Sequence, residues 1–230
     1  MALATDTVTT RELDAFRDAA DRFIAEIDEE YYLHYAGLKD SLELEPIYER
    51  HADLTKLETA NRLTSAPTEL WRFACEGFLG NLTREHQEKV AQVESELEAT
   101  VDGEQVPFRM LRPVIANEAD RERRRRLEET RLQLTDEHLN PVYLDAARID
   151  REAVERLGVP NYYELYQRFG FQLDDLAAQC TEVLDVTEKL WEETGDRLFR
   201  ERIGVGLRDA RAWDVPRLFR APQWDEFRDN

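Results

Sequence analysis

Four histidines are the only imidazoles in this 230-residue chain, and their spacing decides which metal chemistry they can support. They are His34, His51, His86 and His138, and the nearest two are 17 residues apart. A helical zinc peptidase site needs two His one turn apart with a Glu beside the first. Both rings then face one ion, and the carboxylate activates the bound water. No pair here has that spacing, and the residues that follow the histidines are Tyr35, Ala52, Gln87 and Leu139. A carboxylate-bridged di-iron bundle needs Glu three residues before His on two helices. Those positions hold Tyr31, Tyr48, Thr83 and Thr135. The histidines therefore read as ordinary surface or hydrogen-bonding residues.

Cys75 and Cys180 lack CxxC spacing and sit among apolar helical residues, which points to two small core side chains rather than a disulfide or a metal site. No GxxxxGK[ST] phosphate loop, GxGxxG turn or GxSxG nucleophile turn is present. With 50 acidic residues, pairs of carboxylates occur everywhere and select nothing. The residues thus nominate no catalytic, cofactor-binding or metal-ligating group, and none can be singled out as a substrate contact.

Two clusters look functional at first sight. Arg121, Arg123, Arg124, Arg125 and Arg126 resemble a nucleic-acid patch, but Glu122 lies four before Arg126, and Glu128 and Glu129 lie four after Arg124 and Arg125. Such pairs each stabilise a helix by a few tenths of a kcal/mol, so the block reads as an ion-paired scaffold. Tyr162, Tyr163, Tyr166, Phe169 and Phe171 could line a peptide groove, yet aromatic residues at that spacing more often pack into a core.

The elements that carry these residues follow from composition. Only nine glycines and eight prolines punctuate the chain, so turns are few and elements long. Charged residues make up 35%, mostly Glu and Arg, both good helix formers. The expectation is an all-α, elongated multi-helix domain with long antiparallel helices, spanning 1–230 as one domain. A net charge of −19 opposes general affinity for nucleic acid or anionic membranes. No apolar run is long enough to span a bilayer and no signal-peptide pattern is visible, so a cytoplasmic location is expected.

In chain order, Thr9 and Glu12 have capping-box spacing, and Leu13, Phe16, Ala20, Phe23, Ile27 and Tyr31 continue a helical stripe toward Gly37. A second helix is expected from about Pro46 to Leu63. A third starts at Pro67 with a dense apolar patch that thins toward Thr100. Asp102-Gly103 between β-branched residues predicts a tiny hairpin at 101–106, the one piece of β structure. A short helix from about Pro107 to Ile115 leads into the stretch Arg121–Gly170. There a very long helix is expected from about Glu118 to Leu157, roughly 60 Å at 1.5 Å per residue. Its apolar residues Val142, Ala146, Ile149, Ala153 and Leu157 share a face. Asn161 and Glu164 start a helix that ends near Gly170. Leu173, Leu176, Cys180, Val183, Leu184, Thr187, Leu190, Trp191, Thr194 and Leu198 then form the cleanest stripe in the chain, expected to pack against the long helix. Asp214 and Pro216 can open a final short helix, and Leu218, Phe219, Trp224 and Phe227 leave an aromatic tail.

A charged helix, LGVPNYYELYQRFG, a second long amphipathic helix and RAWDVPRLFR, taken in that order over about Tyr31 to Phe227, resemble a known arrangement. It is the helical N-terminal half of zinc metallopeptidases of the oligoendopeptidase F, thimet oligopeptidase and angiotensin-converting-enzyme kind. In that superfamily this half precedes the segment bearing HExxH, which is absent here. The resemblance implies a substrate-channel wall, inactive by itself. Zinc, the general-base Glu and the third ligand would belong to a catalytic half beyond Asn230. The implied partners are that catalytic half and oligopeptides, with neither nucleic acid nor membrane. The alternative from another class is a free-standing acidic helical interaction module, or a dimer that self-associates through exposed apolar surface.

Overall fold

The computed structural model describes residues 9–220, and within them the chain is helical apart from one antiparallel hairpin. Helix α1 (Thr10–Tyr35) begins at the capping box read from the sequence. The Thr9 hydroxyl accepts from the Glu12 amide, and the Glu12 carboxylate accepts from the Thr9 amide at 2.8 Å. Phe16, Ala20 and Phe23 are its buried stripe.

The second expected helix is broken. Helices α2 (Glu45–Arg50) and α3 (Leu57–Arg62) are separated by turns that carry Leu54 and Thr55 inward to full or near-full burial. The turn is held in part by the Thr59 hydroxyl donating to the Asp53 carbonyl at 2.6 Å. Local propensity favoured one helix, but burying Leu54 and Thr55 outweighs it. Helix α2 lacks a cap from its own N-cap residue. Glu88, from the next long helix, accepts instead from the amides of Leu44 and Glu45 at 2.6 and 3.0 Å.

Helix α4 (Thr68–Glu96) is core in its first half, with Leu70, Trp71, Ala74, Cys75, Phe78 and Leu79 buried, and half-exposed thereafter. Gly80 lets it approach Tyr48 closely: a Cβ there would lie 2.6 Å from the tyrosine oxygen. Strands β1 (Glu98–Val101) and β2 (Glu104–Pro107) pair with Val101 opposite Glu104. Asp102 and Gly103 both have positive φ, as a two-residue hairpin turn of this twist requires. A 3-10 turn at Phe108–Met110 leads into α5 (Leu111–Asn117).

Helix α6 (Arg121–Leu134) is capped by Asp120, and α7 (Asn140–Arg156) continues it through a π-helical turn at Thr135–Leu139. Pro141 explains that turn. It has no N–H to give the carbonyl four residues back, and its ring crowds that carbonyl, so the ladder loosens just before it. Asn161 caps α8 (Tyr162–Arg168), its side chain accepting from the Glu164 amide at 2.9 Å. Helix α9 (Leu173–Arg202) follows. Helix α10 (Val215–Leu218) is short, with Pro216 in its first turn as expected.

The described chain divides into two compact units. The first takes the residues up to Val93 together with Asn140–Leu173, and the second takes Glu94–Leu139 and the residues from Asp174 on. The crossings at 93 and 173 fall inside α4 and α9, so no linker composition marks them in the sequence. The first unit buries Phe23, Ile47, Leu63, Trp71, Phe78, Val154, Leu165 and Phe169 in one cluster. The second buries Val101, Leu111, Ile115, Leu127, Phe199 and Leu218.

Two expectations are corrected here. Cys75 is buried, and burial pushes its thiol up to about 12, so it stays protonated and inert; Cys180, however, is exposed. The stripe on α9 does not pack as expected either: residues 174–193 are exposed throughout. Of the aromatic tail, Leu218 is buried and Phe219 exposed, while Trp224 and Phe227 lie outside the described residues.

Candidate functional site

The histidines stay apart in chemical terms. His51 meets Glu26 at 3.0 Å, His86 meets Asp145 at 2.9 Å, His34 is buried beside the Tyr35 ring, and His138 lies in the π-helical turn. Among the described residues no group of three or more His, Cys, Asp or Glu side chains could hold a metal ion. The described residues therefore offer no ligand set for the zinc that the resemblance implies.

The arginine block forms ion pairs, but only one of the three expected pairs is made. Arg125 bridges Glu129 at 2.7 Å and also Glu122 at 3.0 Å. Arg126 turns to Asp102 of the hairpin at 2.8 Å, and Glu128 pairs with Arg131. Arg124 goes inward and meets Asp214 at 2.9 Å, with 2% of its side chain exposed and none of the carboxylate's. Arg121 adds a bidentate contact to the same carboxylate, and the Arg211 amide a further hydrogen bond at 3.0 Å. Burial alone would push the Asp214 carboxyl up. The hydrogen bonds from Arg121, Arg124 and the Arg211 amide outweigh it and hold the group below the usual carboxylate range. Arg124 also donates to the carbonyls of Glu118 and Ala119. This cluster ties α6 to the segment before α10 and is structural. Asp214 does not cap α10 with its side chain, because that side chain is already committed to the arginines.

The aromatic residues divide. Phe169 is buried against Trp71 in an edge contact at 5.0 Å, and Tyr162 and Tyr166 pack onto the same core, whereas Tyr163 and Phe171 are exposed.

Among the described residues, α9 presents a run of exposed large apolar side chains. Leu184 is 69% exposed, Leu190 64% and Trp191 49%, with Leu176 and Val183 on the same face. Leu173, Cys180, Thr187 and Thr194 recur every seven residues, and Leu176, Val183 and Leu190 recur three residues later. That is the spacing of a helix made to pack against another helix. A cavity of about 820 Å³ lies along this face, and its described lining comes from α9 alone. A second cavity, of about 300 Å³, sits within the first unit among α1, α4 and α7, where Tyr31, Tyr35, His86, Tyr143 and Asp150 line it. No local pattern in the sequence marks this second cavity, because its residues come from three separated helices.

Among the described residues no helix is long and apolar enough to cross a membrane. In comparisons with known proteins, no family model, no curated protein and no solved structure matches this chain.

Proposed function

We propose that this chain is the helical, substrate-channel-forming region of a zinc metallopeptidase that hydrolyses oligopeptides, and that it is not catalytic by itself. The observation that carries the reading is the bare face of α9. Residues 174–193 run for about 30 Å with an apolar stripe of regular spacing that the other described residues leave exposed. An exposed apolar patch of several hundred Å² commonly marks a site of association. In this reading the cover is the catalytic half, whose HExxH helix, zinc and third ligand follow in the same polypeptide. The order of charged helix, LGVPNYYELYQRFG, long amphipathic helix and RAWDVPRLFR supports that choice of partner. The helices then wall a deep channel that admits short peptides and excludes folded proteins, in a cytoplasmic enzyme.

The test is to read the native gene past codon 230 and assay the encoded protein on a fluorogenic oligopeptide. The expected result is an open frame reaching HExxH, with a further Glu on a following helix. Zinc-dependent turnover should belong to the extended protein and not to these 230 residues. A frame without that motif, or turnover by the 230 residues alone, would overturn the reading.

One observation favours a second reading, a free-standing acidic interaction module that dimerises. The first half of α9 carries Asp174, Asp175, Glu182 and Asp185 and no basic residue, while its last turns carry Arg197, Arg200 and Arg202 against Asp196 and Glu201, a net charge of +1. Two antiparallel copies would set acidic ends against basic ones. A gene ending at codon 230, together with a stable dimer in sedimentation equilibrium, would select this alternative.

A further inference from the structure

We propose that the cavity among α1, α4 and α7 binds a protonated primary amine, held by Asp150 and His86 and faced by the rings of Tyr31, Tyr35 and Tyr143. The proposal rests on the first unit alone and is independent of the peptidase reading. Tyr143 and Asp150 stand seven apart on α7, and Tyr31 and Tyr35 four apart on α1, so each helix turns one face to the cavity.

Two buried polar atoms among the residues that line this cavity have no hydrogen-bond partner. Asp150 Oδ1 is buried and has no hydrogen-bond partner. His86 is oriented by Asp145, whose Oδ2 lies 2.9 Å from Nε2. The hydrogen bond from His86, followed by that from Arg148, holds Asp145 below the usual carboxylate range, so it is an ionised, acceptor-only partner. Nε2 therefore carries the proton, and in the neutral ring Nδ1 is an acceptor. That Nδ1 is likewise buried and unpartnered. The Tyr31 hydroxyl already donates to the Gln87 side-chain carbonyl.

A buried carboxylate oxygen and, in the neutral ring, a buried imidazole nitrogen are left without a donor, and a ligand bearing several N–H groups supplies both. A carboxylate beside tyrosine rings selects for positive charge on that ligand, because ring faces attract cations. The chain's net charge of −19 draws cations toward it as well. A bare metal ion is the poorer fit, since no third His, Cys, Asp or Glu completes a ligand set among the described residues. A volume of about 300 Å³ is at the small end of ligand sites and suits an alkylamine, a lysine side chain or a peptide amino terminus.

Asp150 also behaves as a group kept for binding rather than for stability. Burial raises its carboxyl above the usual range, only partly offset by a hydrogen bond from Tyr162, so the ionised form weighs on the folded state.

The experiment is an NMR chemical-shift titration of the 230-residue chain with n-butylammonium chloride, tetramethylammonium chloride and sodium chloride, repeated on D150N and Y143L. The expected result is saturable binding of n-butylammonium, with shifts confined to α1, α4 and α7. D150N should weaken it about tenfold, the loss of one charge-assisted hydrogen bond. Y143L should weaken it several-fold, and tetramethylammonium, which has no N–H, should bind far less well. A tripeptide with a free amino terminus, set against its acetylated form, then tells a peptide ligand from a small free amine. Urea unfolding at neutral pH supplies a second readout, in which D150N should be at least as stable as the parent. The proposal is overturned if n-butylammonium does no more than sodium, if tetramethylammonium binds equally well, or if D150N binds with unchanged affinity. It is overturned too if D150N unfolds more readily, because the carboxylate would then be a structural partner of Tyr162.

Discussion

Asp214 and Arg124 show how a single buried carboxylate redirects an arginine that local spacing assigns elsewhere. In α6, Glu128 lies one turn beyond Arg124, and an isolated helix would pair them. The folded chain instead buries Arg124 against Asp214 and leaves Glu128 to Arg131. Within reach of Asp214 the guanidinium satisfies a carboxylate and two backbone carbonyls at once, which an exposed i,i+4 pair cannot match. Removing the charge strands two arginines, one of them fully buried. Asp214→Asn should therefore cost about 3 kcal/mol in urea unfolding at neutral pH. The pH dependence carries a sign. The folded carboxyl titrates below its unfolded value, so its stabilisation is complete above about pH 4 and is lost as pH falls through the folded value. The gap between parent and D214N should thus narrow in acid. A gap that stays constant would mean that Asp214 acts by packing and not by charge.

Among the helices, α9 is the one whose sequence and packing disagree most. Its stripe is the most regular in the chain, yet the buried positions of the helix are Gly195 and Phe199, near its end. Regular spacing reports that a face is built to be covered; it does not report by what. Substitution at exposed positions away from special features changes stability by no more than about 0.5 kcal/mol. The double variant L184E/L190E should therefore leave the unfolding midpoint of the chain almost unchanged. Leu127→Ala, at a fully buried position of α6, should cost about 2–5 kcal/mol. A large loss for L184E/L190E would show that part of this polypeptide covers α9 in solution.

For the whole molecule, charge and apolar surface act against each other. A net charge of −19 keeps copies apart, while the α9 face favours association. The repulsion is screened over about 10 Å at 0.1 M salt and about 3 Å at 1 M, whereas apolar burial is not screened. Sedimentation velocity of the 230-residue chain should accordingly show association that strengthens with added sodium chloride and disappears in L184E/L190E. Association that weakens with salt would identify ion pairs, such as those between the two ends of antiparallel α9 copies, as the driving force.

By itself the sequence determined the helical class, the capping box at Thr9, the Asp102-Gly103 turn, the cap at Asn161 and the thinning of α4 along its length. Each depends on residues within a few positions of one another, where backbone sterics and one or two hydrogen bonds decide the outcome. Tertiary structure alone decided that the segment after Arg50 breaks, that Arg124 leaves its helical neighbour for Asp214, that the other described residues leave Cys180 and the α9 stripe exposed, and that Tyr31, His86 and Asp150 meet at one cavity. Those outcomes set local propensities of a few tenths of a kcal/mol against burial and desolvation of several, and burial depends on residues tens of positions away.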